Sequence, residues 1–170
     1  AGAGGLSTLH EGTGGTIALH NLGTSDGTEY DSESAAETAI YCYDIINQGE
    51  RPARWITAAK VKLRDCGDRL INLQFGNALS SFPSYIPVGT FLATGFASTT
   101  SIYGGIANAM TRAAATTATY WTARPYLSAI GGLALLRCWQ TFGEGKYLAA
   151  ARNVATFLRR LQCADKINAS

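Results

Sequence analysis

The stretch LSAIGGLALLRCWQTFGEGKYLAAARNVATFLRRLQ, residues 127–162, decides how the chain is read. Its first half is apolar around nearly the whole circumference: Leu127, Ile130, Leu133, Ala134, Leu135, Leu136, Cys138 and Trp139. A helix so composed is expected to be buried on most sides, with Leu133 in the core. Gly131-Gly132 lets a neighbouring backbone come close, and Gly143 and Gly145 punctuate a turn. The second half is amphipathic. Tyr147, Ala151, Val154, Leu158 and Leu161 recur at steps of 4, 3, 4 and 3, and Lys146, Arg152, Arg159 and Arg160 fall outside that seam. This is a helical hairpin with an inner and an outer helix.

A second hairpin is expected upstream, over Ser34–Gln74. Ser34 and Glu37 have the spacing of a capping box, followed by Ala35, Ala36, Ala39, Ile40, Cys42, Tyr43, Ile45 and Ile46. Gln48-Gly49 marks the end of that helix, and Pro52 stands near the first turn of the next. There Ile56, Ala59, Leu63, Cys66, Leu70 and Leu73 form one seam, interrupted in propensity by Gly67 at a cost of about 1 kcal/mol. Both amphipathic helices end in Leu-Gln, at Leu73-Gln74 and Leu161-Gln162. Aligned by seam, Ala59, Leu63, Cys66, Leu70 and Leu73 fall on Tyr147, Ala151, Val154, Leu158 and Leu161. Any two antiparallel hairpins share such a plan, so an internal repeat and a general likeness both stay open.

Between the hairpins, residues 75–103 form a long loop carrying Phe75, Phe82, Tyr85, Phe91, Phe96 and Tyr103. Rings in this number serve either a packed loop or a sugar or partner contact, for which Phe82, Tyr85, Phe91 and Tyr103 are the candidates. Ile106, Met110, Ala114, Thr117 and Trp121 have helical spacing, so a middle helix is expected over 106–122, stopped by Pro125 with Arg124 extended. Residues 1–28 carry eight glycines and form a Gly-rich extended arm, ordered by contact with another chain or domain. The expected architecture is all-α, about five helices in antiparallel hairpins over 29–165, with a short tail at 166–170.

The hairpins resemble those of (α/α)-toroid proteins, the six-hairpin fold of many glycoside hydrolases, polysaccharide lyases and terpenoid cyclases, in which an inner apolar helix alternates with an outer amphipathic one. Gly143-Glu144-Gly145-Lys146-Tyr147-Leu148-Ala149-Ala150-Ala151 is similar to their glycine-rich turn. Leu73-Gln74 followed by Ser81-Phe82-Pro83 is similar to the segment that carries a sugar-facing loop. The resemblance covers about half the chain, and at 170 residues it implies an arc rather than a closed toroid. It implies a glycan-processing hydrolase or lyase, or a fragment of one.

Composition bounds the function from the other side. Hydrophobic residues make up 46% and charged residues 15% of the chain, with a net charge of +2. No basic surface dense enough for nucleic acid is expected, and no run is long enough to span a membrane. Glycoside hydrolysis needs two carboxylates at the scissile bond, yet no Asp or Glu lies between Asp68 and Glu144. The candidate acids are the cluster Asp26, Glu29, Asp31 and Glu33 before the first helix, where such residues also serve its dipole. His10 and His20 have no metal-ligand spacing, so neither metal nor cofactor is expected. Gly12-Thr13-Gly14-Gly15-Thr16 and the 143–146 turn lack the full spacing of a phosphate loop. Of the cysteines, Cys66 reads as a core residue. Cys138 and Cys163 are too far apart along one hairpin to bridge, and Cys163 is the one free to pair with another chain. Asn168-Ala169-Ser170 fits a glycosylation pattern.

The chain starts at Ala1 without a basic leader, and is read as a processed product or part of something longer. The expected function is a non-catalytic structural or interaction module of a larger assembly, such as a virion, tail or surface component. Its partners would be other protein chains or copies of itself, with glycan as a further possibility. An extracellular or virion-associated location is favoured. An open arc would expose apolar surface at its ends.

Overall fold

Four helices pair off around one core, and the short links between them dictate the pairing. The computed structural model describes residues 9–11, 17–19, 29–49, 51–76, 102–107, 109–111 and 123–167, with side chains described over 32–49, 51–76, 102–107 and 123–162. Helix α1 runs Ser32–Asn47, α2 Ala53–Asn72, α3 Pro125–Phe142 and α4 Gly145–Ile167. With so few residues between α1 and α2, and only Gly143-Glu144 between α3 and α4, each pair folds back as a hairpin. Helix α1 lies between α2 and α3, α4 packs on α3, and α2 also touches α3.

The starts and stops follow local chemistry. Gly143 takes the left-handed conformation (φ +69°) at the C-cap of α3, and its amide donates to Trp139 O at 2.8 Å. Pro52 caps α2, where its carbonyl accepts from the Trp55 amide at 2.8 Å. Two expected boundaries move. Helix α1 begins at Ser32, two residues before the expected cap at Ser34, with Glu33 in its first turn. Pro125 opens α3 at a first-turn position, where its missing amide proton is not needed, and Arg124 before it is extended as expected.

The seams meet as the spacing required. Ala35, Ala36, Ala39, Cys42 and Ile45 of α1 face Ala59, Leu63, Cys66 and Leu70 of α2, and Ala134, Leu135 and Cys138 of α3 join the same core. The alanines keep α1 thin enough to sit between two helices. Gly67, costly for α2 on its own, stands where α2 meets the second hairpin. A Cβ there would lie 2.6 Å from Cys138 Sγ and 2.8 Å from the Tyr147 ring. Cys42, Cys66 and Cys138 are free thiols buried in this core. Burial pushes Cys42 and Cys138 up to about 12 and Cys66 well above the ordinary thiol range. The Cys163 side chain lies outside the described residues.

The middle of the chain departs from expectation. Residues 106–107 are extended, bridging Gln74 to Ile106 and Ala107 to Ala123, and 109–111 form a strand, so no helix starts there. The described residues hold four helices and are mostly helical, and residues 112–122 of the expected middle helix lie outside them. The apolar spacing of Ile106 has another use: Ile106 and Phe75, both fully buried, close one end of the core. The backbone pairs across this crossing, Ala107 N to Leu73 O and Phe75 N to Gly105 O at 2.9 Å each, and Ile106 N donates to Ser128 Oγ at 3.0 Å. Gly104 (φ +88°) lets the strand pass so close to α4 that a Cβ would collide with the Asn153 carbonyl. Gln74 locks the crossing from inside: fully buried, its Nε2 donates to Gly104 O at 3.0 Å and to Ala150 O at 2.9 Å.

Two short antiparallel ladders complete the described backbone: β1 (Leu9–Glu11) with β2 (Ile17–Leu19), and β3 (Glu29–Asp31) with β4 (Ala109–Thr111). The first pair lies within residues 1–28, the Gly-rich arm. The rest of that arm, and most of the 75–103 loop, lie outside the described residues.

Candidate functional site

Two surfaces stand out, one charged and one apolar. The charged one forms where the α3–α4 turn meets the outer side of α2. Lys146 Nζ donates to Asp68 Oδ1 at 2.7 Å and lies 3.4 Å from Glu144 Oε2, while Arg64 pairs with Glu144. The Tyr147 hydroxyl donates to the same Asp68 oxygen at 3.0 Å. The Arg64 guanidinium stacks 4.3 Å over the Phe142 ring. Beside this cluster, Lys60, Val61, Arg64, Asp65, Asp68 and Phe142 line an open concavity of about 530 Å³.

The electrostatics of this corner are internal. Burial, then the charge and hydrogen bond of Asp68, push the Tyr147 phenol above its ordinary range, so the ring stays a donor. Burial works against the Lys146 ammonium, but Asp68 and Glu144 outweigh it and hold it above its ordinary value. Asp68 and Glu144 are both engaged by cations, and the pairs are a third or more exposed, so each contributes less than about 1 kcal/mol. Chemically the corner is a staple between hairpins.

The apolar surface lies on α3 and α4. Tyr126, Ala129, Leu133, Leu136 and Gln140 follow one another at steps of 3, 4, 3 and 4 on the solvent side of α3. Tyr126 is 61% exposed, Leu133 41% and Leu136 38%. This corrects the expectation that Leu133 is buried: α1, α2 and α4 cover the other sides of α3, and nothing described covers this one. Two hollows run along it, about 450 Å³ beside Pro125, Tyr126 and Leu161 and about 240 Å³ beside Leu133 and Leu136. Ala129 and Leu158 line both, so they form one groove. The seam of α4 explains why it opens there. Tyr147, Ala151 and Val154 are buried like their counterparts on α2, but Leu158 and Leu161 are only half-buried.

Of the site residues expected from sequence, Glu33 lies exposed in the first turn of α1 and Tyr103 sits half-buried in the turn before Gly104. Glu29 and Asp31 lie on β3, their side chains outside the described residues, as are Asp26, Phe82, Tyr85 and Phe91. Phe75, counted among the loop aromatics, is a core residue. Among the described residues no group of three His, Cys, Asp or Glu is arranged to hold a metal ion, and no helix is long and apolar enough to cross a membrane. The grouping of Asp68 with Glu144, Lys146 and Tyr147 is not visible in sequence, since α2 and α4 are far apart along the chain. The α3 stripe is visible as a heptad-like spacing, hidden because its neighbours are apolar too.

No protein-family model, curated protein or solved structure matches this chain.

Proposed function

We propose that the chain is a non-catalytic interaction module, and that it works by packing the α3–α4 face against another protein. The observation that carries this reading is the outward arc of α3, in which Tyr126, Ala129, Leu133 and Leu136 are accompanied by no charged side chain. Apolar stripes of this kind on a folded domain mark contact surfaces. The (α/α)-toroid likeness accords with it, because an arc of hairpins presents such a face to whatever continues it. The glycan-processing alternative draws less support. The described carboxylates that line a concavity, Asp65 and Asp68, lie on one helix and are tied to Arg69 and Lys146 rather than held apart across a cleft.

The test is photo-crosslinking with benzoylphenylalanine in place of Leu133, and in place of exposed Lys60 as control, in an extract of the source material. A discrete adduct at position 133, absent at position 60, is expected. Equal labelling at both positions, or release of reducing ends from a polysaccharide by the purified chain with no adduct at position 133, overturns the reading.

A further inference from the structure

Resting on that reading, we infer that the occupant of the α3–α4 groove is an amphipathic α-helix whose apolar seam is edged by carboxylates. The groove has the dimensions of a helix. From Tyr126 to Gln140 the α3 stripe rises about 21 Å, four turns, and its 3, 4, 3, 4 spacing is the one that a partner helix interlocks with. Its floor includes the small, exposed residues Ala129 and Ala155, which allow close approach of a second backbone.

The charge of the rim selects the partner. Helix α3 contains no Asp or Glu, and neither does α4 over residues 145–162. Beside Ala155, one helical step round from the groove, Arg152 and Arg159 are exposed two turns apart, and the described ion pairs involve neither. Arg137, on the opposite flank of α3, is already committed. Its guanidinium stacks 4.5 Å over Tyr43 and donates to Gln140 at 2.9 Å. A second copy of this face would bring Arg152 and Arg159 towards their own counterparts, a like-charge approach that costs affinity. A helix with Glu or Asp beside its apolar seam meets them with opposite charge. The chain already holds such a helix on another side of α3: α1 packs there through small apolar residues while exposing Glu33, Glu37 and Asp44. Four turns of helix cover less than the ~800 Å² that a standard interface takes from each partner, so micromolar affinity is expected.

The experiment uses the full chain and two fluorescent 20-residue helical peptides with the same leucine–alanine seam, one flanked by Glu and one by Lys. The Glu peptide should bind at least tenfold tighter in low salt, with the gap narrowing as salt is raised. Arg152→Glu with Arg159→Glu should reverse the preference, and Leu133→Glu should abolish binding of both. These positions are exposed, and circular dichroism verifies that each variant keeps its helix content. Equal affinity for both peptides overturns the charge selection while leaving the interaction reading intact. Binding of neither peptide, with a position-133 adduct still formed in the extract, overturns the helical occupant. A sedimenting dimer dissolved by Leu133→Glu assigns the groove to a second copy and overturns the inference. Neither peptide binding nor an adduct overturns both readings.

Discussion

Replacing Gln74 by Met removes the two hydrogen bonds that hold the α2 end to the 104 strand and to α4, while nearly conserving side-chain volume. The Gln74 side chain is fully buried, and its Nε2 spans Gly104 O at 3.0 Å and Ala150 O at 2.9 Å. Ala150 O lies inside α4 and keeps its place in the helical ladder, so its loss should be about 1 kcal/mol, the net worth of an ordinary hydrogen bond. Gly104 O has no such ladder behind it, and a buried carbonyl left unpaired costs about 1–3 kcal/mol. Together the change should destabilise by about 2–4 kcal/mol. With a urea slope near 2 kcal/mol/M, the unfolding midpoint followed by circular dichroism should fall by about 1–2 M. Gln162→Met, at the matching Leu-Gln of the second hairpin but exposed, should stay within about 0.5 kcal/mol. A Gln74→Met midpoint indistinguishable from wild type, or equal losses at the two glutamines, would refute the lock.

Gly67→Ala should lower stability by about 1–2 kcal/mol, because crowding against Cys138 and Tyr147 outweighs the ~1 kcal/mol gain in helix propensity; a stabilised variant in thermal melts would mean the helices are not that close. Leu135→Ala, in the core, should cost about 2–5 kcal/mol, whereas Leu133→Ala, 41% exposed, should cost less than about 1.5 kcal/mol; equal denaturation losses would show that α3 is buried all round. The folded-state pKa values of Cys42, Cys66, Cys138, Tyr147 and Lys146 are all raised. The folded chain therefore holds these protons longer than the unfolded one. Their contribution is complete below the unfolded values and declines as pH rises from about 9 towards 12. Urea midpoints should therefore drop between pH 8 and pH 10.5, and a flat profile would contradict the burial of the thiols.

What could be read from sequence was whatever depends on neighbours along the chain. The seams of α2 and α4, the stops at Gly49 and Gly143, and the burial of Cys66 each follow from helical spacing or from one residue's backbone preference. Contacts between distant segments were not legible. Ile106 has the spacing of a helix, but Phe75 and Leu73 recruit its segment as an extended crossing, and no local signal announces that. Leu133 and Leu135 look alike on an apolar helix, and which one faces solvent depends on where α1, α2 and α4 stop. The two Leu-Gln pairs are identical as text, yet Gln74 is an internal donor and Gln162 is solvated. The cluster of Asp68, Glu144, Lys146 and Tyr147 likewise exists only once α4 is laid beside α2.

The crossing of residues 73–76 with 104–107 also ties two distant stretches of the chain into one clasp. Because Phe75 and Gly105 are direct hydrogen-bond neighbours, the crossing closes a loop of the chain between them. The entropy of closing such a loop grows slowly with its length, about 0.6 kcal/mol per doubling. The gain is concentrated at the clasp: Gln74, Phe75 and Ile106, all fully buried, join the end of the first hairpin to the approach of the second.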